Sequence, residues 1–163
     1  MNKTQLQQKI VDMEKQLTEL KKELEKKDKG IWKPKIGERY CFIETDAEIN
    51  DTFYTEHDID ERLFAFGNYY KTKEEAQKMS NYLKYTNLLR KYVEEHSEPI
   101  DWEDSEDVFW ITYNCYHKKI VIDCLDTYPA QGTIYASSEE ALRDAIAFVG
   151  EDNIKKYIFG IEE

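Results

Sequence analysis

The chain has 163 residues with a net charge of −11, and its 40% hydrophobic and 13% aromatic content suffices for one domain of ordinary size or two small ones. No apolar run approaches the roughly 20 residues of a membrane-spanning helix, and the polar residues 1–8 exclude a signal peptide at this end. The chain has three cysteines, Cys41, Cys115 and Cys124. Their odd number and their spacing, which fits no metal-binding motif, predict reduced thiols in a cytoplasm.

The charge is divided unevenly along the chain. Residues 1–35 contain ten lysines and six acidic residues, a net charge of +4, so the rest of the chain carries −15. Proteins bind phosphate backbones through Lys and Arg side chains that displace counterions. The acidic body therefore argues against direct nucleic-acid binding and leaves a basic protein partner, or simple solubility, as the reason for the charge.

The first predicted element is a helix with a narrow apolar stripe. The stripe residues are spaced alternately by four and three positions: Leu6, Ile10, Met13, Leu17, Leu20 and Leu24. This spacing is a heptad seam with Ile10, Leu17 and Leu24 at the a positions. So narrow a stripe is typical of a coiled coil, whereas a helix on a globular core usually has a wider apolar face. Residues 1–30 are predicted to be an oligomerisation helix; packing on the chain's own body is the alternative, and the number of coiled-coil strands stays open.

Residues 31–98 are predicted to form a first βββα unit. Two β-prone runs flank the turn Thr45-Asp46-Ala47 and predict a hairpin. The predicted elements are strands at 39–44, 48–55 and 68–71, a polar loop or short helical turn at 57–62, and a helix from Thr72 to about His96. The core face predicted for this helix contains Ala76, Met79, Leu83, Thr86, Leu89 and Val93.

Residues 99–163 are predicted to repeat the same plan. The predicted elements are strands at 108–115, 119–125 and 133–136, a helix after Ser137 that ends at Gly150, and a short helical turn at 152–157. Strands followed by a helix predict an α+β fold with antiparallel sheet. Whether the two units share one sheet stays open.

A ten-residue pattern supports this internal repeat. The skeleton Gly-x-x-Tyr-x-Thr/Ser-x-Glu-Glu-Ala begins at Gly67 and again, 65 positions later, at Gly132. Two pairs have capping-box spacing, Thr72 with Glu75 and Ser137 with Glu140. The acidic residues that follow each hydroxyl would compete with a phosphate at the helix start. We therefore interpret the pattern as architecture and not as an anion site.

Acidic side chains in two stretches form the predicted partner-binding surface. One stretch is 58–61, and the other is 94–107, which has eight acidic residues in fourteen positions. A solvated linker is the alternative interpretation of the second stretch. The predicted partner-binding residues are Asp58, Asp60, Glu61, Glu98, Asp101, Trp102, Glu103, Asp104, Glu106 and Asp107.

No motif predicts catalysis, a metal or a cofactor. The chain lacks a P-loop, a dinucleotide-binding glycine motif and a nucleophile elbow, and the acidic turn at 57–61 fits no zinc or calcium template. We therefore expect a protein that is not an enzyme and has no metal or cofactor. Aromatic and cationic side chains offer an alternative nucleotide site, for which the candidate residues are Arg39, Arg62, Tyr69, Tyr70 and Tyr135.

Four stretches carry a resemblance to a known family. They follow the Lys/Glu-rich start and comprise 32–40, 66–76, 132–141 and 150–160. Together they resemble a family of small accessory proteins encoded by phages and prophages of low-GC Gram-positive bacteria. The family supplies no catalytic residues. The resemblance implies the cytoplasm of an infected bacterial host cell, and such phage genes often counter host defence.

Two functions are therefore expected as alternatives. The first is a non-catalytic homo-oligomer that binds and inhibits a host anti-phage defence protein through its acidic body, with avidity raised by the coiled coil. The second is an oligomeric sponge that sequesters a nucleotide immune signal.

Overall fold

The computed structural model describes residues 3–27, 30–103, 107–125, 130 and 132–161. The chain divides into two compact units, Met1–Ile36 and Gly37–Glu163. The described helices are α1 Lys3–Lys27, α2 Asp58–Ala65, α3 Lys73–His96, α4 Glu139–Val149 and α5 Glu151–Asn153, and the strands are β1 Arg39–Ile43, β2 Ile49–Phe53, β3 Val108–Asn114, β4 Lys119–Leu125 and β5 Tyr135–Ala136. The strands form two small antiparallel sheets. The predicted α+β class, the antiparallel pairing and the N-terminal helix are confirmed.

The first unit contains helix α1. Its 25 residues give it a length of about 37 Å at 1.5 Å per residue. Along its polar surface, the Gln8 amide donates to Asp12 at 3.1 Å and the Thr18 hydroxyl donates to the Glu14 carbonyl at 2.8 Å. Such local bonds add little, and a lone helix of this length is marginal in water without a partner for its apolar stripe.

The first sheet contains only β1 and β2, paired with Cys41 opposite Asp51. Ala47 turns the hairpin with φ of 68°, and its N–H donates to the Glu44 carbonyl at 3.0 Å. The predicted hairpin is therefore present. Helix α2, which the sequence predicted only as a polar loop or short helical turn, follows it and ends next to Gly67, whose φ is 69°.

The predicted third strand at 68–71 is reduced to a single bridge. Cys41 and Tyr70 exchange backbone hydrogen bonds of 2.8 Å in both directions. Two residues earlier, the side-chain amide of Asn68 replaces the backbone, accepting from the Ile43 N–H at 2.9 Å and donating to the Ile43 carbonyl at 2.7 Å. Because a side chain satisfies this edge of β1, no continuous third strand is needed there.

The second sheet has the order β4-β3-β5. Strands β3 and β4 pair along their full lengths from Val108 opposite Leu125 to Asn114 opposite Lys119, whereas β5 contributes only two residues. The sheets thus have two and three strands, and a helix interrupts the first group of strands. Two tandem βββα units, the finer part of the fold prediction, are not confirmed.

The repeated pattern begins a helix in both places, with a one-residue difference. Thr72 accepts from the Glu75 N–H at 3.2 Å as predicted, although the Glu75 carboxylate reaches the Lys71 N–H at 3.0 Å. In the second copy the cap is Ser138, which accepts from the Ala141 N–H at 3.2 Å. The prediction of Ser137 was wrong because the Ser137 N–H donates to the Ser97 hydroxyl at 2.9 Å, and the helix begins one residue later.

Helix α3 buries different faces in its two halves. Ala76 and Ser80 are buried in the first half, and Leu89 and Val93 in the second. At about 100° per residue, these two pairs lie on different sides of the helix, about 140° apart around its axis. The prediction of one continuous core face was therefore wrong: Met79 is 38% and Leu83 is 45% exposed.

The main core packs the second half of α3 against α4 and the following turn. Its buried members all have apolar side chains and comprise Leu89, Val93, Ala136, Ala141, Leu142, Ala145, Val149 and Ile154. At the other end of α3, the Lys73 ammonium lies 3.2 Å from the Asp51 carboxylate of β2. Helix α3 is thereby fixed to both sheets.

Candidate functional site

The predicted oligomerisation stripe is exposed on α1. Ile10, Met13, Leu17 and Leu20 are each more than half exposed, at 55–63%. The side chains of Leu6 and Leu24, the outer members of the stripe, lie outside the described residues. Four large apolar side chains at heptad spacing are a surface that a second helix can bury.

The acidic stretch presents charge to solvent. The described residues Glu98, Asp101, Glu103 and Asp107 are exposed, whereas Asp104 and Glu106 lie outside the described residues. The Asp101 carboxylate accepts from the Glu103 N–H at 3.0 Å, and the Asp107 carboxylate accepts from the Cys124 thiol at 3.3 Å. These local bonds position the carboxylates without neutralising them, so their charge stays available to a cation.

An aromatic cluster lies beside these acids. Trp102 is 45% exposed and contacts Tyr135 edge-to-face, with ring centroids 5.2 Å apart and an interplanar angle of 87°. Trp110 contacts the same tyrosine at 5.9 Å, and the Tyr135 hydroxyl accepts from the Ala130 N–H at 2.7 Å. Trp102 and Tyr135 were predicted for two different sites. The fold brings them together although they are far apart in the sequence, and sequence spacing gave no signal for this contact.

Asp60, another predicted partner-binding residue, is buried at the start of α2, where it is only 6% exposed. Its carboxylate accepts from the Tyr40 hydroxyl at 2.6 Å and from the Thr55 N–H and hydroxyl at 2.8 and 2.9 Å. A fourth bond comes from the His57 N–H at 3.2 Å. These bonds tie α2 to the hairpin and occupy the carboxylate internally.

The environment of Asp60 shifts its titration. Burial by itself would raise the pKa of Asp60, but the hydrogen bonds donated by Tyr40, Thr55 and His57 outweigh it and lower the pKa to about 2. Burial, and then the bond to Asp60, raise the pKa of the Tyr40 hydroxyl. The buried pair is therefore a charged acceptor and a neutral donor over the whole physiological range.

The other two acids of this stretch lie nearer to solvent. Asp58 is exposed on the first turn of α2. Glu61 is also exposed, and its carboxylate accepts from the buried Tyr54 hydroxyl at 2.5 Å. Asp58 and Glu61, in contrast to Asp60, present charged atoms at the surface.

The residues predicted for the alternative nucleotide site are divided between the first sheet with the neighbouring residues 62–70 and the second sheet. Arg39 on β1 pairs with Asp51, and Tyr69 is buried with its ring stacked 4.7 Å from Phe64. Tyr70 forms the bridge to β1, and Arg62 is exposed on α2. Tyr135 lies in the second sheet. The rings of Tyr69 and Tyr135 therefore contact other aromatic rings of the fold.

In the part of the chain that the structure describes, no group of three or more His, Cys, Asp or Glu side chains could hold a metal ion. Over the same residues, no helix is both long and apolar enough to cross a membrane. Family models, curated proteins and solved structures were compared with the chain, and none of them matches it.

We predict that Asp60→Ala lowers the free energy of unfolding by about 2–3 kcal/mol, because it leaves buried donors without their charged acceptor. Asp58→Ala, the matched control on the same turn, should cost less than about 1 kcal/mol. Urea unfolding at neutral pH measures both values. Equal losses in the two variants would contradict the structural role of Asp60.

The lowered pKa of Asp60 makes the free energy of unfolding depend on pH. The folded-state pKa of about 2 lies below the ordinary value of 3.8, so the stabilisation is complete above that value and is lost as the pH falls toward 2. The difference in unfolding free energy between the native chain and Asp60→Ala should therefore shrink over this interval. A difference that stays constant down to pH 2 would contradict the shift.

Proposed function

We propose that this chain is a non-catalytic binding protein that self-associates through α1 and uses its acidic body to bind a basic protein. The observation that carries the first part is the exposed stripe of α1. Exposed large apolar side chains at heptad positions are stabilised when a second copy covers them. Self-association also explains how a helix of only 25 residues can be stable in water.

The second part of the proposal depends on the acidic stretch around Trp102. Tryptophan is one of the side chains most enriched among the energetically dominant residues of protein interfaces, and Trp102 is 45% exposed. Here the carboxylates of Asp101 and Glu103 flank the anchor in sequence and are exposed. A body of net charge −15 would also steer a basic partner toward this surface and raise its association rate.

The setting proposed for this interaction is a bacterial cell infected by a phage. Its support is the sequence resemblance to phage and prophage accessory proteins. A host defence protein that binds nucleic acid carries a basic groove, and a multivalent acidic protein can occupy such a groove with high avidity. We therefore propose inhibition of a basic host defence protein as the biological activity.

Leu17→Asp tests the self-association. A charge at the centre of the stripe should prevent burial, and α1 should unfold because its isolated stability is marginal. Circular dichroism of the full chain should show a lower helical signal. Thr18→Asp introduces the same charge at the next position, outside the stripe, and should keep the signal. An equal signal in both variants would contradict the proposal.

Neutralising Asp101, Glu103 and Asp107 to the corresponding amides tests the partner surface. Proteins captured by the native chain from a lysate of a Gram-positive bacterium should include a basic protein whose capture falls with added salt. The amide variant should lose this protein, since the charges that attract it are gone.

A matched variant with Glu140, Asp144 and Asp152 changed to amides removes the same charge from exposed positions in and after α4. It should retain the captured protein. If the two variants capture the same proteins in the same amounts, overall charge and not the acidic stretch determines binding, and the proposed surface is wrong.

A further inference from the structure

A groove of about 600 Å³ lies between β2, the first half of α3 and the turn that follows α5. Its polar and aromatic lining comprises Lys73, Gln77, Lys78, Asn81, Lys156 and Tyr157. The volume is in the range of pockets that bind small molecules. None of the residues that line the groove belongs to the acidic stretch or to α1, so the groove has no role in the function proposed above.

The lining of the groove has a net positive charge, whereas the body around it is acidic. Three lysines line it, whereas Glu74 is the acidic residue in its lining. The Lys73 ammonium is partly neutralised by Asp51 at 3.2 Å. Lys156 lies on the opposite wall, with its ammonium 5.3 Å from the ring centroid of Tyr157. On a body of charge −15, this local excess of cations favours an anionic ligand.

The aromatic wall is held in place. The rings of Tyr157 and Tyr85 are stacked with centroids 4.9 Å apart and an interplanar angle of 9°. Tyr85 therefore fixes the plane of the Tyr157 ring, and Tyr157 lines the groove. The Lys156 ammonium lies 5.3 Å from the centroid of this ring, so a planar base would stack on the ring as the exposed Lys156 side chain moves from it toward the phosphate.

The backbone around this wall is a π-helical turn, Ile154–Ile158. Its bond from the Phe159 N–H to the Ile154 carbonyl measures 3.0 Å, and the fully buried Ile154 anchors the turn in the core. π-Helical turns are rare and occur frequently at functional sites. Here the turn carries Lys156 and Tyr157, the cation and the ring that line the groove.

The amides of α3 add polar contacts. The Gln77 side chain donates to the Asn81 oxygen at 3.3 Å, which aligns both amides along the groove. Asn81 is half-buried there, and its nitrogen supplies donors suited to ring nitrogens or to phosphate oxygens. Cations, a fixed ring and amides together match a ligand that has both a planar base and a phosphate.

We propose that this groove binds a nucleotide, with the base against Tyr157 and the phosphate near Lys156 and Lys78. Neither the exposed stripe of α1 nor the acidic stretch takes part. Loss of nucleotide binding would therefore leave self-association and partner capture unchanged, and the two proposals can fail separately.

Isothermal titration of the full chain with ADP and with GDP tests the groove. At least one of them should bind saturably with Kd below about 1 mM, since a charge-assisted contact and a stacked base each contribute. Adenosine and inorganic phosphate, which supply the ring and the anion separately, should each bind at least about tenfold more weakly.

Lys156→Ala should weaken nucleotide binding at least about tenfold because it removes the cation that the Tyr157 wall carries. Lys91→Ala removes an exposed lysine farther along α3 and should change Kd less than about twofold. Failure of both nucleotides to bind, equal binding of phosphate alone, or equal effects of the two substitutions would overturn the proposal.

Discussion

The fold of the acidic body depends on the burial of α3 on two sides. A two-stranded sheet is at best marginally stable by itself, and either further strands with an apolar face or packing against a helix is needed to stabilise it. Ala76 and Ser80 are buried on one side of the first half of α3, and Leu89 and Val93 are buried on a different side of the second half. One helix thereby stabilises both sheets, and the boundary predicted near residue 98 falls just after the element that they share.

The partner that we propose for α1 follows from the same physical reasoning. The stripe residues Ile10, Met13, Leu17 and Leu20 are exposed, and burial of apolar surface against a second helix is favourable. Polar contacts stabilise another part of the fold. The Asp60 carboxylate accepts four hydrogen bonds that connect α2 to the hairpin, so its oxygens are already occupied within the fold. The acids that stay at the surface around Trp102 differ from Asp60 in this respect, and the proposed partner surface depends on them.

Long periodic elements could be predicted from the sequence, but details set by distant contacts could not. Thr72 and Gly150 marked helix ends because capping is a local interaction. The displacement of a cap to Ser138 depends on Ser97, forty positions away, and the lost third strand depends on one amide of Asn68. Likewise, the exposure of Asp101 and Glu103 could be predicted from their charge, whereas the burial of Asp60 and the contact of Trp102 with Tyr135 depend on residues distant in the sequence.

Self-association is the central claim, and sedimentation equilibrium of the full chain tests it most directly. The mass of one chain is 19.5 kDa. If α1 buries its stripe against another copy, the native chain should sediment with an integer multiple of that mass, at least a dimer, and should dissociate only on dilution. A mass of one chain at every concentration, with α1 still helical, would contradict the account, because the stripe would then be stable without a partner.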